Sequence, residues 1–262
     1  MKPHWLSVAR GIGLGVMFLF LSSTVARGAE LRVLSTTAVQ EVAAELGAKF
    51  ERVNGDRVTF VFEPQGTMQK RMAGGETGDI LIFPAQAIED LVKSGAVAMN
   101  DVRPFARSSV GVAVRRGTPK PDISSPEAFR RAMLSAKSVI IGDPARGGLA
   151  TPHLFKVFDK LGITEEMKHK LIYKKIGGAA GNVQAMAETD SNMGAGQLSE
   201  YAPVSTMEIV GPLPGDLNLT SLYSTVIVRG TNDAAAGALL DFMRTPEAAA
   251  ALRKQGLEPA FP

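Results

Sequence analysis

Four short stretches of this chain carry hydroxyl or glycine residues where a strand-like segment gives way to a helix-like one. They are Ser35-Thr36-Thr37-Ala38, Gln65-Gly66-Thr67, Gly147 to Thr151, and Gly177 to Val183 with Asn182 near its end. A helix start exposes unpaired backbone N–H groups at the positive end of the helix dipole. Each stretch is therefore a candidate anion site that needs no lysine or arginine. Thr36, Thr67 and Thr151 equally suit plain N-caps, a role worth about 1 kcal/mol each, and Gly177 to Gly181 also reads as a flexible loop. Arg146 adds a planar guanidinium fork matched to carboxylates.

Other chemistries are excluded early. Cysteine is absent, which removes disulfides, thiolate metal sites, iron–sulfur clusters and cysteine nucleophiles. His153 and His169 are too few and too separated for a histidine metal site, so neither metal nor cofactor is expected. The chain has no Gly-x-Ser-x-Gly elbow, no phosphate loop ending in Gly-Lys-Ser/Thr and no His-Glu-x-x-His helix.

The elements that must position these stretches follow from hydrophobic spacing in a chain of 262 residues whose 45% hydrophobic and 21% charged content suits a folded globular protein. Strands are predicted at Leu31 to Leu34, Val58 to Phe62, Asp79 to Phe83, Val110 to Arg115, Val139 to Ile141 and Leu222 to Val228. Val39, Val42, Ala43, Leu46 and Phe50 form a helical stripe ending before Gly55. Pro84 is expected at the first position of a helix closing before Gly95, and Ser125-Pro126-Glu127, Thr151-Pro152 and Thr245-Pro246-Glu247 read as further helix starts. Strands alternating with helices favour an α/β fold with parallel strands, in which ligands gather at the carboxyl ends of the strands.

The N-terminus changes the meaning of the charge. Lys2 and Arg10 precede the apolar run Gly11 to Ser23, and Ala26-Arg27-Gly28 supplies small residues for cleavage, the pattern of a secretory signal peptide over residues 1–28. The run is short of the ~20 residues of a spanning helix. Cleavage after Gly28 leaves 26 basic against 26 acidic residues. Neither nucleic acid nor stable membrane insertion is then implied, and the expected product is a free, monomeric extracytoplasmic protein.

Val33-Leu34-Ser35-Thr36-Thr37-Ala38, Gly78-Asp79-Ile80-Leu81-Ile82-Phe83, Ile141-Gly142-Asp143-Pro144 and Thr245-Pro246-Glu247-Ala248-Ala249, in this order, resemble the molybdate-type periplasmic solute-binding proteins of ABC importers. The resemblance spans nearly all of the chain after the signal segment. It implies a type II periplasmic binding fold: two α/β lobes with a ligand cleft between them, here expected as 29–107 plus 230–262 and 108–229, joined by crossings near Ser108 to Val114 and Leu222 to Arg229. It also implies a small anion as ligand, an ABC permease as partner and a periplasmic location.

The likeness weakens where specificity is set. Ala38 and Gly66 stand where molybdate binders of the family place serines, and Gln197 stands where a tyrosine is expected. Losing a donor to a buried anion costs ~1.5–3 kcal/mol, so an organic carboxylate is expected to bind better than molybdate, with Gln65 and Gln197 as added polar candidates. Gln197-Leu198-Ser199-Glu200 and Gly117 to Ser124 are also similar to a divergent branch that includes aconitate isomerase. That similarity implies a cofactor-independent isomerase as the alternative; such an enzyme needs a general base, for which Glu200, Glu63 and His153 are the candidates.

Overall fold

The computed structural model describes residues 28–95, 99–228 and 232–262. The expected signal segment lies outside the described residues except for Gly28, and so does Arg229 at the end of the second expected crossing. The chain begins β1 (Glu30–Thr36), α1 (Gln40–Asn54), β2 (Arg57–Glu63), α2 (Gln65–Ala73), β3 (Ile80–Pro84) and α3 (Ala85–Lys93). β1 pairs in parallel with both β2 and β3, because a helix between two strands returns the chain to run in the same direction. α1 exists to bury Val42, Ala43, Leu46 and Phe50. It ends at Gly55, whose φ of 80° is a left-handed cap that glycine adopts without strain.

β4 (Met99–Arg115) is far longer than the expected Val110 to Arg115. The chain then forms α4 (Pro126–Ser135), β5 (Val139–Gly142), α5 (Ala150–Lys160), α6 (Thr164–Lys168), β6 (Leu171–Lys174), α7 (Gly178–Glu188), β7 (Met193–Gln197), β8 (Met207–Pro212), β9 (Thr220–Val228), α8 (Asp233–Phe242), α9 (Pro246–Lys254) and β10 (Glu258–Pro259). The strand order is β2-β1-β3-β9-β4-β7-β5-β6, with β8 and β10 also on β4. β4 makes the passage between halves: Arg107, Ser108 and Ser109 pair with Leu222, Ser221 and Thr220 of β9, and from Val110 onward it pairs with β7.

Each half packs its own core. Leu31, Val33, Ile80, Ile82 and Phe105 meet α1, α8 and α9 residues such as Leu46, Leu239 and Leu252 in one. Val110, Val112, Phe129, Val139, Ile141, Leu154 and Phe158 form the other. The two-lobed α/β fold expected from the sequence is what the chain adopts.

β6, β8 and β10 carry no clear alternation and go unread in the sequence, and β7 is indicated only by the family resemblance at Gly194 to Gln197. β7 is Met-Gly-Ala-Gly-Gln, a composition that weakens a strand. It is nevertheless fully buried, and its glycines admit the Tyr201 ring: a Cβ on Gly194 would stand 2.6 Å from it. Pro84 is the last residue of β3 and precedes α3 rather than opening it, since its extended ψ of 136° keeps it outside the helix.

Candidate functional site

The carboxyl ends of β1, β3, β5, β6 and β7 and the starts of α2 and α5 converge on a cavity of about 70 Å³ between the two halves. Of the residues expected to face a ligand, Thr36, Thr37, Arg146, Ala150, Thr151 and Gln197 line it, together with Gln65 and Glu200. Thr36, Thr37 and Gln65 belong to the half built on β1, and the others to the half built on β5 and β7.

The hydroxyls do not cap helices. Thr36 precedes a short 3-10 turn, Thr37–Val39, and makes no capping bond; its buried Oγ1 has no hydrogen-bond partner. Thr151 is the second residue of α5 rather than its N-cap, and donates its hydroxyl to the Gly142 carbonyl at 3.0 Å, tying the helix to the end of β5. Thr37 donates across the cleft to Glu200 Oε1 at 2.7 Å.

Glu63, a candidate base, and six other expected site residues lie off the cavity lining. Ser35 is buried and turns its hydroxyl to the Thr36 carbonyl. The Gly66 N–H is already consumed by the Gly147 carbonyl at 2.8 Å, and Thr67 Oγ1 donates to the Arg146 carbonyl at 3.2 Å; both lie where the halves touch. Asn182 is buried and donates to the Glu200 carbonyl at 2.8 Å, while Val183 on the same helix is 50% exposed. His153 lies on another face of α5, with Nε2 2.7 Å from the Leu217 carbonyl, because one helical turn cannot aim both Thr151 and residue 153 at the same cavity.

The most consequential residue that sequence reasoning misses is Lys174. It ends β6, its side chain is only 5% exposed, and its Nζ lies 2.7 Å from Glu200 Oε2. A lysine closing the apolar run Leu171-Ile172-Tyr173 just before Gly177-Gly178 is the available signal, legible only if β6 is recognised. Tyr223 of β9 also reaches the cavity, a contact that strand order alone creates.

Burial pushes the Glu200 carboxyl up, but the Lys174 charge and hydrogen bond, the Thr37 hydroxyl and the Gly178 N–H outweigh it, and its pKa is held below the ordinary 4.5. Burial, followed by the Glu200 charge, raises the Tyr201 and Tyr223 phenols, which stay protonated. Asp143 and Glu200 balance Arg146 and Lys174 around the cavity, so the lining carries no excess formal charge. Thr36 Oγ1, Arg146 Nε, Gln65 Oε1 and Gln197 Oε1 are buried there without partners. Buried polar groups are normally paired, and four orphans around one cavity mark a polar ligand site.

Residues 31–258 match the family of bacterial extracellular solute-binding proteins. An aconitate isomerase from a Pseudomonas species is 30% identical over 251 residues, covering 92% of this chain and 94% of that protein. The molybdate-binding protein ModA of Escherichia coli is 20% identical over 258 residues, 98% of each chain. Among solved structures, the periplasmic molybdate-binding protein of Azotobacter vinelandii superimposes with a TM-score of 0.67 at 17% identity over 88% of this chain and 99% of that one.

Proposed function

The chain belongs to the family of bacterial extracellular solute-binding proteins, and from that premise we propose that it captures a small anion in the cavity between its lobes and hands it to an ABC permease. The observation that carries this reading is the pair of buried, unpartnered donors on residues that line one cavity, Thr36 Oγ1 and Arg146 Nε. We place the lobes at 29–107 plus 230–262 and at 108–229. The passage of β4 from one core to the other supports the boundary near Ser108. A monomeric periplasmic protein released by cleavage of residues 1–28 accords with the family, and among the described residues no helix is long and apolar enough to cross a membrane.

The ligand class favoured is an organic carboxylate. Ala38 offers no hydroxyl at the cavity wall, Gly66 has spent its N–H on Gly147, and Arg146 keeps a guanidinium N–H free. A thermal-shift screen of molybdate, tungstate, sulfate, phosphate and small di- and tricarboxylates tests this. Saturation at one hundred times Kd stabilises the closed form by about 2.7 kcal/mol. The expected result is a rise with a carboxylate and little with molybdate; no rise with any anion at millimolar concentration overturns the reading.

A second reading rests on the 30% identity to an aconitate isomerase: the same cleft moves a proton on an unsaturated tricarboxylate, without cofactor. Glu200 is the base placed for it, since it lines the cavity and is ionised, whereas His153 faces Leu217. The same pairing that keeps Glu200 ionised also makes it a weak base, which is why capture stands first. Incubation with trans-aconitate followed by NMR separates the two. Conversion lost in Glu200→Gln establishes the enzyme with this base, and no conversion above a protein-free control removes it for this substrate.

A further inference from the structure

Two turns from opposite lobes meet beside the cavity, Glu63–Thr67 between β2 and α2, and Asp143–Gly147 after β5. They touch at three points. Arg146 Nη2 donates to Glu63 Oε2 at 2.9 Å, the Gly66 N–H donates to the Gly147 carbonyl at 2.8 Å, and the Thr67 hydroxyl donates to the Arg146 carbonyl at 3.2 Å. The approach is as close as backbones allow, for a Cβ on Gly66 would stand 2.9 Å from Gly147 Cα. Arg146 also lines the cavity, and its Nε–H is buried with no partner. One planar guanidinium therefore has Nη2 committed to the facing lobe while Nε–H, on the same edge, is left without a partner.

Resting on the anion-binding reading, we propose that Arg146 couples anion capture to lobe closure: its Nε–H serves the bound carboxylate while its Nη2 clasps Glu63 across the cleft. Glu63 is then a closure-determining residue although it does not line the cavity. A guanidinium held in plane by Glu63 presents Nε–H in a fixed direction, and a carboxylate on Nε holds the same plane for Glu63, so each contact lowers the ordering cost of the other. A lysine at 146 keeps the charge but has a single nitrogen and cannot serve both partners in this geometry. Gly66, read from sequence as a lost donor, is what allows the clasp to shut.

The native chain has no cysteine, so spin labels at Val53→Cys and Lys156→Cys, exposed positions on opposite lobes, report the interlobe distance by pulsed electron paramagnetic resonance. Titrations use trans-aconitate and molybdate as probes. Glu63→Gln is expected to move population to longer distances and to weaken whichever probe binds by about three- to fivefold, the scale of a part-exposed ion pair. Arg146→Lys weakens it further, and adding Glu63→Gln to Arg146→Lys changes little more, since coupled contacts are lost together. Gly66→Ala lengthens the distance without removing any side-chain donor. Circular dichroism on each variant confirms that the fold is kept. Distances and affinities in Glu63→Gln that match the parent protein, or strictly additive effects of the two substitutions, overturn the proposal. If neither probe binds the parent protein, coupling to these anions falls, and the interlobe distances of Glu63→Gln and Gly66→Ala then decide the clasp alone: longer retains it, unchanged rejects it.

Discussion

Hydroxyl residues near helix starts do different work at the periphery and at the cleft. Ser125 ahead of α4 and Thr245 ahead of α9 each accept the N–H three residues on, at 3.1 and 3.3 Å, with proline at the first helical position. At the cleft Thr36 has no partner, Thr67 bonds the opposite lobe and Thr151 bonds the end of β5. The residue type is the same and the local pattern nearly so. What differs is what stands opposite: solvent at the periphery, a second lobe and a ligand cavity at the cleft. A hydroxyl facing solvent is best used by its own helix, whereas one facing another lobe finds partners the helix cannot supply.

The comparison is tested most severely at the buried Lys174–Glu200 ion pair of the cleft. Lys174→Met leaves the Glu200 carboxylate without its cation, and chemical denaturation at neutral pH should show a loss of about 3 kcal/mol, the low end for a buried pair because the cavity admits water. Glu200 also sets an acid limit. Its pKa is lower folded than the ordinary 4.5, so its stabilisation is present above about pH 4.5 and is lost as pH falls through the folded value. Glu200→Gln should therefore unfold with a shallower dependence on acid than the parent protein.

Thr36→Val comes next. Removing an orphan hydroxyl leaves stability unchanged or slightly higher, while anion affinity, measured by calorimetry, falls about tenfold or more if the hydroxyl donates to the charged ligand, a bond worth ~1.5–3 kcal/mol. Ser125→Ala and Thr245→Ala should behave in the opposite way, each costing about 1 kcal/mol of stability with affinity untouched. Affinity lost at the peripheral caps, or stability lost at Thr36, would erase the distinction between the two regions. The smallest effect belongs to His153→Ala, whose side chain faces Leu217: anion affinity should stay within about twofold, as for substitutions away from a site.

Local chemistry carried much of the fold. The stripe of α1, the proline-led starts of α4 and α9, the glycine stops and the alternation of strand with helix are all read within a few residues, because capping and amphipathic burial are short-range effects. They suffice for a two-lobed α/β protein with its site at strand ends. β7 has no local strand pattern because its glycines answer to the Tyr201 ring, and β6 lacks the continuous buried apolar run of the equally short β5, its first three residues being only part-buried or exposed.

The site divides along the same line. Sequence alone named some of the residues that line the cavity, Thr36, Thr37, Gln65, Arg146, Thr151, Gln197 and Glu200, because their types mark the ends of strands and the starts of helices. Tertiary structure decided what each group is free to do. Thr37 meets Glu200 across 163 positions, and Arg146 meets Glu63 across 83. Lys174 becomes a site residue because β6 ends beside Glu200, and Gly66 becomes a contact between lobes because Gly147 arrives there. A hydrogen-bonding group shows its type in the sequence, but whether its capacity is spent or spare depends on partners brought within 3 Å by the packing of distant segments, and no local pattern encodes that distance.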